Sequence, residues 1–174
     1  MTRAVPFGFR TRAHIVYNSG GKGIVMAAST DLDEVCNCLA LRRAARYLTA
    51  TYDKALGPVG LRATQFTILR KLSAQGEMTI SSLADLISMD RTTMATNLKP
   101  LAREGLVTVE PSTADRRARI VAITPDGRAR MAAALPLWQA AQARFEERFG
   151  ADEASQLRAS LGAVLRTGFQ PWAE

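Results

Sequence analysis

Apolar residues in the middle of the chain recur first with the period of a helix and then with that of a strand. Two short helices are predicted between positions 79 and 105, because apolar residues there follow three- and four-residue steps. These residues are Leu83, Ala84, Ile87, Met94, Leu98 and Leu101. From position 107 the valines alternate with polar residues over 107–110, and on the return run Val121 and Ile123 alternate with Ile120 and Ala122, so both runs have a period of two. Helix, turn, helix and β-hairpin in this order predict a winged helix-turn-helix over residues 61–124.

The second of these helices has recognisable ends. Asp90 is a residue type that caps helix N-termini, and Thr93 stands at the position whose N–H such a cap accepts from. Gly105 lies where a helix C-terminal glycine is expected. Pro100 falls inside the helix and removes the backbone hydrogen bond to Thr96, at a cost of about 3 kcal/mol unless a kink absorbs it. We therefore expect a helix that begins after Asp90 and ends before Gly105.

The outer face of this helix is small, polar and free of carboxylates until Glu104. A helix that enters the major groove of DNA must approach phosphates and base edges, and such a surface permits that approach. The residues predicted to contact DNA from this helix are Arg91, Thr92, Thr93, Thr96 and Lys99.

The link between the two β-patterned runs carries a cluster of charged residues. Asp115, Arg116 and Arg117 lie in the link, and Arg119 follows it. Clustered guanidinium groups repel one another unless a polyanion is near, so we predict that these four residues lie at DNA. The carboxylate of Asp115 is expected to hold the guanidinium of Arg117 in one rotamer.

Helices with broad apolar surfaces are predicted on both sides of the winged helix. A helix beginning at Asp31 or Asp33 ends at Gly57-Pro58, and its two apolar edges exceed what one small domain can cover. A helix from Pro125 to Gly150 and another from Asp152 follow the hairpin. Segments 32–56 and 126–168 are therefore the predicted dimerisation helices of a homodimer. The fold class is mainly α, in a single domain spanning residues 31–174.

Composition matters chiefly at the N-terminus. The formal net charge is +7, and four of the 23 basic residues precede the first acidic residue, Asp31. The placement of charge, and not its total, therefore supports a nucleic-acid partner. Residues 1–30 are expected to be a flexible basic tail or an upstream extension before a true start at Met26. Since no run approaches the ~18 apolar residues of a membrane span, we expect no membrane partner and a cytoplasmic location.

Common catalytic and metal-binding residue sets are missing from the sequence. His14 is the single histidine, so neither a Ser-His-Asp set nor a histidine-rich zinc site can be assembled. The glycine-rich run at 20–23 lacks the preceding strand and following helix of a phosphate-binding loop. We therefore expect no enzymatic activity, no metal and no cofactor.

Several motifs together resemble the MarR family of bacterial transcription regulators. They are Gln65-Phe66, Leu69, Ser82–Ala84, Asp90-Arg91, Leu101, Gly105–Val107, Asp115–Arg117 and Ile123–Arg128. The resemblance covers roughly residues 32–168. It implies a homodimeric regulator, a repressor, bound to a pseudo-palindromic operator, with the helix from Asp90 in the major groove and Arg117 in the minor groove. Many members carry Thr-Arg where Ala95-Thr96 stand here, so one arginine that could contact a base is missing.

The same resemblance suggests two ways in which binding could be controlled. Members of the family often bind aromatic acids between the dimer helices and the DNA-binding region, which would place Tyr52, Phe66 and Trp138 at a ligand pocket; otherwise these aromatics belong to the core. Cys38 falls near the peroxide-reactive cysteine of the OhrR-type branch, although its tyrosine partners are not evident in the matching stretch. Otherwise Cys36 and Cys38 are small buried residues on a packing helix.

A different function class is also compatible with the fold. Winged helices serve in some proteins as protein-interaction modules that do not bind DNA, with a neutral or acidic outer face. The basic outer face predicted for this chain favours DNA as the partner.

Overall fold

The computed structural model describes residues 15–17, 23–25, 35–113, 115 and 117–168. The chain forms two compact units, residues 1–46 and 47–174. In the first unit, strands β1 (Ile15–Tyr17) and β2 (Gly23–Val25) pair in antiparallel fashion. The sequence pattern does not predict these two strands, which lie inside the segment expected to be a tail.

Helix α1 (Asn37–Leu56) begins immediately after Cys36. The Cys36 carbonyl oxygen accepts a hydrogen bond from the Ala40 N–H at 3.0 Å, and its Sγ accepts one from the Leu39 N–H at 3.4 Å. Both contacts satisfy N–H groups that the first turn of a helix leaves without a partner. The predicted starting residues, Asp31 and Asp33, lie outside the described residues.

The end of α1 is the one predicted from Gly57-Pro58. A short 3₁₀ turn (Gly57–Val59) follows, and Gly60 after it takes a φ of 70° that favours glycine. The carboxylate of Asp53 accepts a hydrogen bond from the Ala63 N–H at 2.7 Å, so α1 supplies a cap for the next helix.

The central part of the second unit has the predicted order of helix, turn, helix and hairpin, with one added strand. Its elements are α2 (Ala63–Gln75), β3 (Met78–Thr79), α3 (Ile80–Leu86), α4 (Arg91–Arg103), β4 (Val107–Pro111) and β5 (Arg119–Ile123). The strands form an antiparallel sheet in the order β3-β5-β4, with Val109 and Met78 both opposite Val121. The strand β3 was not predicted, because two residues are too few to show a period. The mainly α fold class with a small antiparallel wing is confirmed.

One continuous core joins these elements. The apolar residues that the spacing predicts for α3 and α4 are buried, except that Ile87 is half-buried at the end of α3. The largest fully buried side chains are Phe66, Leu56, Ile68, Leu69, Leu72, Leu83, Met94, Leu101, Leu106 and Val121. Burial of each such side chain away from water contributes about 1.5–3 kcal/mol to the free energy of unfolding. The core therefore fixes α4 and the hairpin against α2.

Two helices complete the second unit, α5 (Pro125–Phe149) and α6 (Ala151–Leu165). The start of α5 is tied to the end of α4 by Thr124. Its hydroxyl donates to the Gly105 carbonyl oxygen at 2.7 Å and accepts from the Gly127 N–H at 3.0 Å. Among the described residues, no helix is both long enough and apolar enough to cross a bilayer.

Candidate nucleic-acid interface

Helix α4 begins with the predicted N-cap. Asp90 Oδ1 accepts from the Thr93 N–H at 2.8 Å, and the backbone at Asp90 is extended, as it is at most N-caps. Hydrogen bonds from Thr93 hold the pKa of Asp90 below its usual value, so the carboxylate stays charged to a lower pH than a free aspartate does. A negative charge here also stabilises the N-terminus of the helix.

The turn before α4 sets its direction. Ser88 has a φ of 53°, and it is the only non-glycine residue with a positive φ among the described residues. The Met89 N–H then donates to the Ala84 carbonyl oxygen at 2.9 Å. This left-handed residue turns the chain sharply between α3 and α4, and a serine at this position gives no sequence signal of it.

The predicted contact residues of α4 lie on its solvent-exposed face. Arg91, Thr92, Thr93, Thr96 and Lys99 are all exposed. The Thr96 hydroxyl donates to the Thr92 carbonyl oxygen at 3.0 Å, so toward solvent it offers a methyl group and an acceptor oxygen. The helix continues through Pro100 without interruption.

Asn97 is a further polar residue of α4, beside the predicted contact residues. Its amide Nδ2 donates to the Thr93 carbonyl oxygen at 2.9 Å, and the residue is half-buried. This bond turns the amide group back along the helix. The sequence shows that Asn97 lies next to the predicted contact residues. It does not show that Asn97 is half-buried while those residues are exposed.

At the tip of the hairpin, Asp115 organises the backbone. Its Oδ1 accepts from the Arg117 N–H at 2.9 Å, and its carbonyl oxygen accepts from the Ala118 N–H at 2.9 Å. The expectation that this carboxylate holds the Arg117 guanidinium is wrong, because the carboxylate binds the peptide N–H instead. An Asp side chain reaches the N–H two residues on without ordering a long side chain, so the local contact forms more readily. Arg116 lies outside the described residues.

A cleft of about 170 Å³ brings the hairpin and α4 together. Arg91 lines it from the start of α4, and Arg117 and Arg119 line it from the hairpin. The remaining lining residues are Thr79, Ile80, Ser81, Asp115 and Ala118. The ion pairs in the described part of the chain join Arg130 to Glu104 and Arg158 to Glu146, so none of them neutralises the cleft arginines. The cleft can therefore hold an anionic group such as a phosphate.

Cys38, the predicted redox residue, is not buried in the structure. Cys36 and Cys38 are both exposed in the single chain, so the expectation that they are small buried core residues is wrong for this chain alone. Local helical spacing places Cys38 on the apolar side of α1, but Cys38 lies in the first turn of the helix, where it is exposed in the single chain.

The predicted ligand-pocket aromatics are only partly brought together. The Phe66 and Trp138 rings stack with centroids 6.0 Å apart, and the Arg70 guanidinium lies 5.6 Å from the Trp138 ring centroid. Tyr52 instead donates its hydroxyl hydrogen to Gln142 Oε1. Burial, with a smaller effect from the Glu146 carboxylate, raises the pKa of Tyr52. A pocket formed by all three aromatics stays a prediction.

Comparison with known proteins shows that the winged region, and about three quarters of the chain, are similar to transcription regulators. The sequence profile of the MarR family matches residues 61–118. The structure resembles that of the M. tuberculosis transcriptional regulator MosR in complex with DNA, with a TM-score of 0.66 and 39% identity, covering 75% of this chain and 96% of that one. It also resembles the transcriptional repressor CouR bound to a 23-mer DNA duplex, with a TM-score of 0.69 and 26% identity, covering 80% and 99% of the two chains.

A curated relative gives a more distant match. The organic hydroperoxide resistance transcriptional regulator of Bacillus subtilis is 26% identical over 90 residues. That alignment takes in 52% of this chain and 61% of the relative, so the chain spans about three-fifths of that protein's length.

Proposed function

This chain belongs to the MarR family, and from that premise we propose that it is a homodimeric DNA-binding transcription regulator that represses genes by occupying a pseudo-palindromic operator in the cytoplasm. The family consists of regulators and not of enzymes. In this proposal α4 enters the major groove, and the hairpin, the wing of the fold, lies along the adjacent minor groove.

The observation that carries the proposal is the convergence of three arginines in the cleft between α4 and the wing. Arg91, Arg117 and Arg119 come from two elements separated along the chain, and no described ion pair neutralises them. With three arginines and one carboxylate, that of Asp115, the cleft keeps an excess of positive charge, which favours a polyanionic partner. The similar MosR and CouR structures contain DNA, which supports the same partner.

Dimerisation is supported by apolar side chains that the single chain leaves uncovered. Helix α1 has 20 residues, of which Leu56 is buried, and α6 has 15, of which Ala154 is buried. Tyr47 on α1 is 74% exposed, and Leu165 on α6 is 70% exposed. Further exposed apolar side chains on α1, α5 and α6 are Leu41, Leu135, Phe149, Leu161 and Val164. Since isolated amphipathic helices gain most of their stability from packing, a second copy of the chain is the proposed cover.

The proposal is tested by selection and titration. The purified protein selects duplexes from a random-sequence library, and the recovered sequences should contain inverted half-sites about one helical turn apart, ~34–36 Å. Affinity for the best duplex is then measured against salt, beside a scrambled duplex. Sedimentation at micromolar concentration should give a dimer. A stable monomer, or affinity independent of salt and sequence, contradicts the proposal and favours a protein-interaction module.

Release by a small aromatic ligand is the proposed control. The half-buried Trp138 ring, which stacks on the buried Phe66 ring, lies beside the Arg70 cation, and an apolar ring next to a positive charge suits an aromatic carboxylate. Salicylate and benzoate, titrated while the intrinsic tryptophan fluorescence is followed, should quench it saturably and weaken DNA binding. Cyclohexanecarboxylate, which has the charge without the aromatic ring, is the control. Quenching with no change in DNA affinity contradicts a regulatory role.

A thiol-based sensor of the OhrR type is the second candidate, and the exposure of Cys38 favours it. The match to the Bacillus subtilis organic hydroperoxide regulator supports the same proposal. Treatment with cumene hydroperoxide should then lower DNA affinity, dithiothreitol should restore it, and Cys38→Ser should abolish the response. Cys36→Ser is the matched control. If peroxide leaves the affinity of the wild-type protein unchanged, this candidate is excluded.

A further inference from the structure

Arg130, on the second turn of α5, contacts two elements that are distant in sequence. Its Nη1 donates to the Val59 carbonyl oxygen at 3.1 Å, in the 3₁₀ turn that follows α1. The same nitrogen lies 3.6 Å from Glu104 Oε2, and Glu104 is the C-cap residue of α4. One guanidinium therefore joins the end of α1 to the end of the helix proposed to enter the major groove.

The surroundings leave room for this guanidinium. A Cβ added to Gly60 would stand 3.3 Å from Arg130 Nη1, tighter than ordinary van der Waals contact. Gly60 also has a φ of 70°, which an L side chain rarely adopts. A glycine at position 60 thus satisfies both the turn and the space needed by Arg130.

The contact is poorly placed to stabilise the fold. The Arg130 and Glu104 side chains are 37% and 39% exposed, and exposed ion pairs contribute little to the free energy of unfolding. The end of α4 is already attached to α5 by the Thr124 hydroxyl bond to Gly105. The buried residues Met94, Leu98 and Leu101 hold the inner face of α4 in the core. The contact of Arg130 with Glu104, shared with Val59, adds a polar attachment at the end of α4 that opposes small changes in its tilt.

We infer that Arg130 is a positioning residue for DNA binding, which fixes the orientation of α4 relative to α1 and so sets the half-site spacing that the dimer accepts. The inference rests on the proposed function, since the distance between two α4 helices matters only in a dimer on DNA. In such a dimer, paired through α1, a tilt of α4 against α1 changes the distance between the recognition surfaces. Loss of the Arg130 contacts should therefore change the preference for half-site spacing, and it should leave the salt-dependent affinity for DNA phosphates unchanged.

The test uses the best duplex selected by the wild-type protein, together with versions carrying one base pair more or fewer at the centre. Wild type should prefer the selected spacing. Arg130→Met, which keeps much of the apolar stem, should bind the selected duplex roughly tenfold more weakly, the size of one poorly made base contact. Its affinities for the three spacings should converge, while its affinity for scrambled duplex and its salt slope stay unchanged. Glu104→Gln should show the same changes to a smaller degree.

A matched control and a double variant separate this role from general damage. Arg128→Met removes the same charge from the same helix, where Arg128 contacts Ser73, and it should keep the wild-type spacing profile. The effects of Arg130→Met and Glu104→Gln should be less than additive when combined, because they remove one interaction. Thermal melting and sedimentation confirm that each variant remains a folded dimer.

The outcomes distinguish this inference from the proposed function. If wild type selects a palindromic duplex but Arg130→Met keeps its spacing preference, the inference is overturned and the proposed function stands. If Arg130→Met does not fold, Glu104→Gln alone decides, and an unchanged spacing profile in that variant overturns the inference. If wild type selects no sequence at all, the proposed function fails first.

Discussion

Gly127 lies so close to the backbone of Leu106 that a Cβ at position 127 would stand 2.1 Å from the Leu106 carbonyl oxygen. The contact joins the first turn of α5 to the residue that leads from α4 into the wing. The glycine of the Thr-Pro-Asp-Gly run is therefore a packing requirement at this junction. It explains part of the motif that resembles the MarR family without assigning that part to DNA.

Gly127→Ala should lower the free energy of unfolding by about 1–3 kcal/mol, as overpacking of a tight contact does. The Leu106 carbonyl belongs to the backbone and cannot move aside as a side chain could. Gly57→Ala is the control, since a Cβ there meets nothing within 4 Å. Urea unfolding followed by circular dichroism measures both. Equal stability of the two variants would show that the junction relaxes more than the close approach implies.

Ser88 is expected to tolerate asparagine far better than valine. Its φ of 53° is left-handed, and a β-branched residue there should cost about 1–2 kcal/mol of folding stability. Asparagine adopts this conformation readily, so Ser88→Asn should stay within about 0.5 kcal/mol of wild type. Because Ser88 sets the turn before α4, Ser88→Val should also weaken operator binding. If Ser88→Val is as stable as wild type, the left-handed conformation at position 88 does not disfavour a β-branched residue.

Arg117→Ala should weaken binding to operator and scrambled duplex alike. The side chain is expected in the minor groove, where the negative potential attracts it with little base discrimination. Loss of one phosphate-region contact should lower the slope of log K against log salt by about one. Arg144→Ala, an exposed arginine on α5, is the control for the loss of charge alone. If Arg117→Ala changes neither affinity nor slope, the wing does not contact DNA.

Asp115 gives a prediction in which two variants that remove the same charge behave differently. Asp115→Asn keeps an oxygen that can accept from the Arg117 N–H, so the turn should persist and DNA affinity should equal or exceed that of wild type. Asp115→Ala removes the acceptor and frees the wing tip, so affinity should fall on every sequence. Titration of both variants at one salt concentration is sufficient. Equal affinities would mean that the charge, and not the hydrogen bond, is what matters.

Thr96→Ala should change which operator is preferred. The hydroxyl hydrogen is used within the helix, so Thr96 can contact a thymine methyl or accept from a base amino group. Its loss should shift the preference at one base pair by about 1–3 kcal/mol, while affinity for scrambled duplex is retained. Thr67→Ala removes a hydroxyl with the same bond four residues back, but on α2, and should leave the preference unchanged. Competition between operator variants measures the shift.

The sequence alone determined the order of α3, α4 and the wing, and the ends of α4, because these depend on neighbouring residues. A buried helical face shows its own period, and Asp90 caps through an N–H three residues away. The exposure of Arg91, Thr96 and Lys99 follows from the same period, since they lie opposite the buried face. Local geometry is enough to specify each of these features.

Tertiary structure decided what depends on residues far apart in the chain. The strand β3 forms because the edge of β5 offers Met78 and Thr79 a partner, and a two-residue segment has no period to reveal it. Arg91 meets the wing arginines, and Arg130 meets both Val59 and Glu104, because the core packs their elements against one another. Even at Asp115, sequence spacing allowed two partners, and the backbone conformation of the turn selected the N–H over the guanidinium.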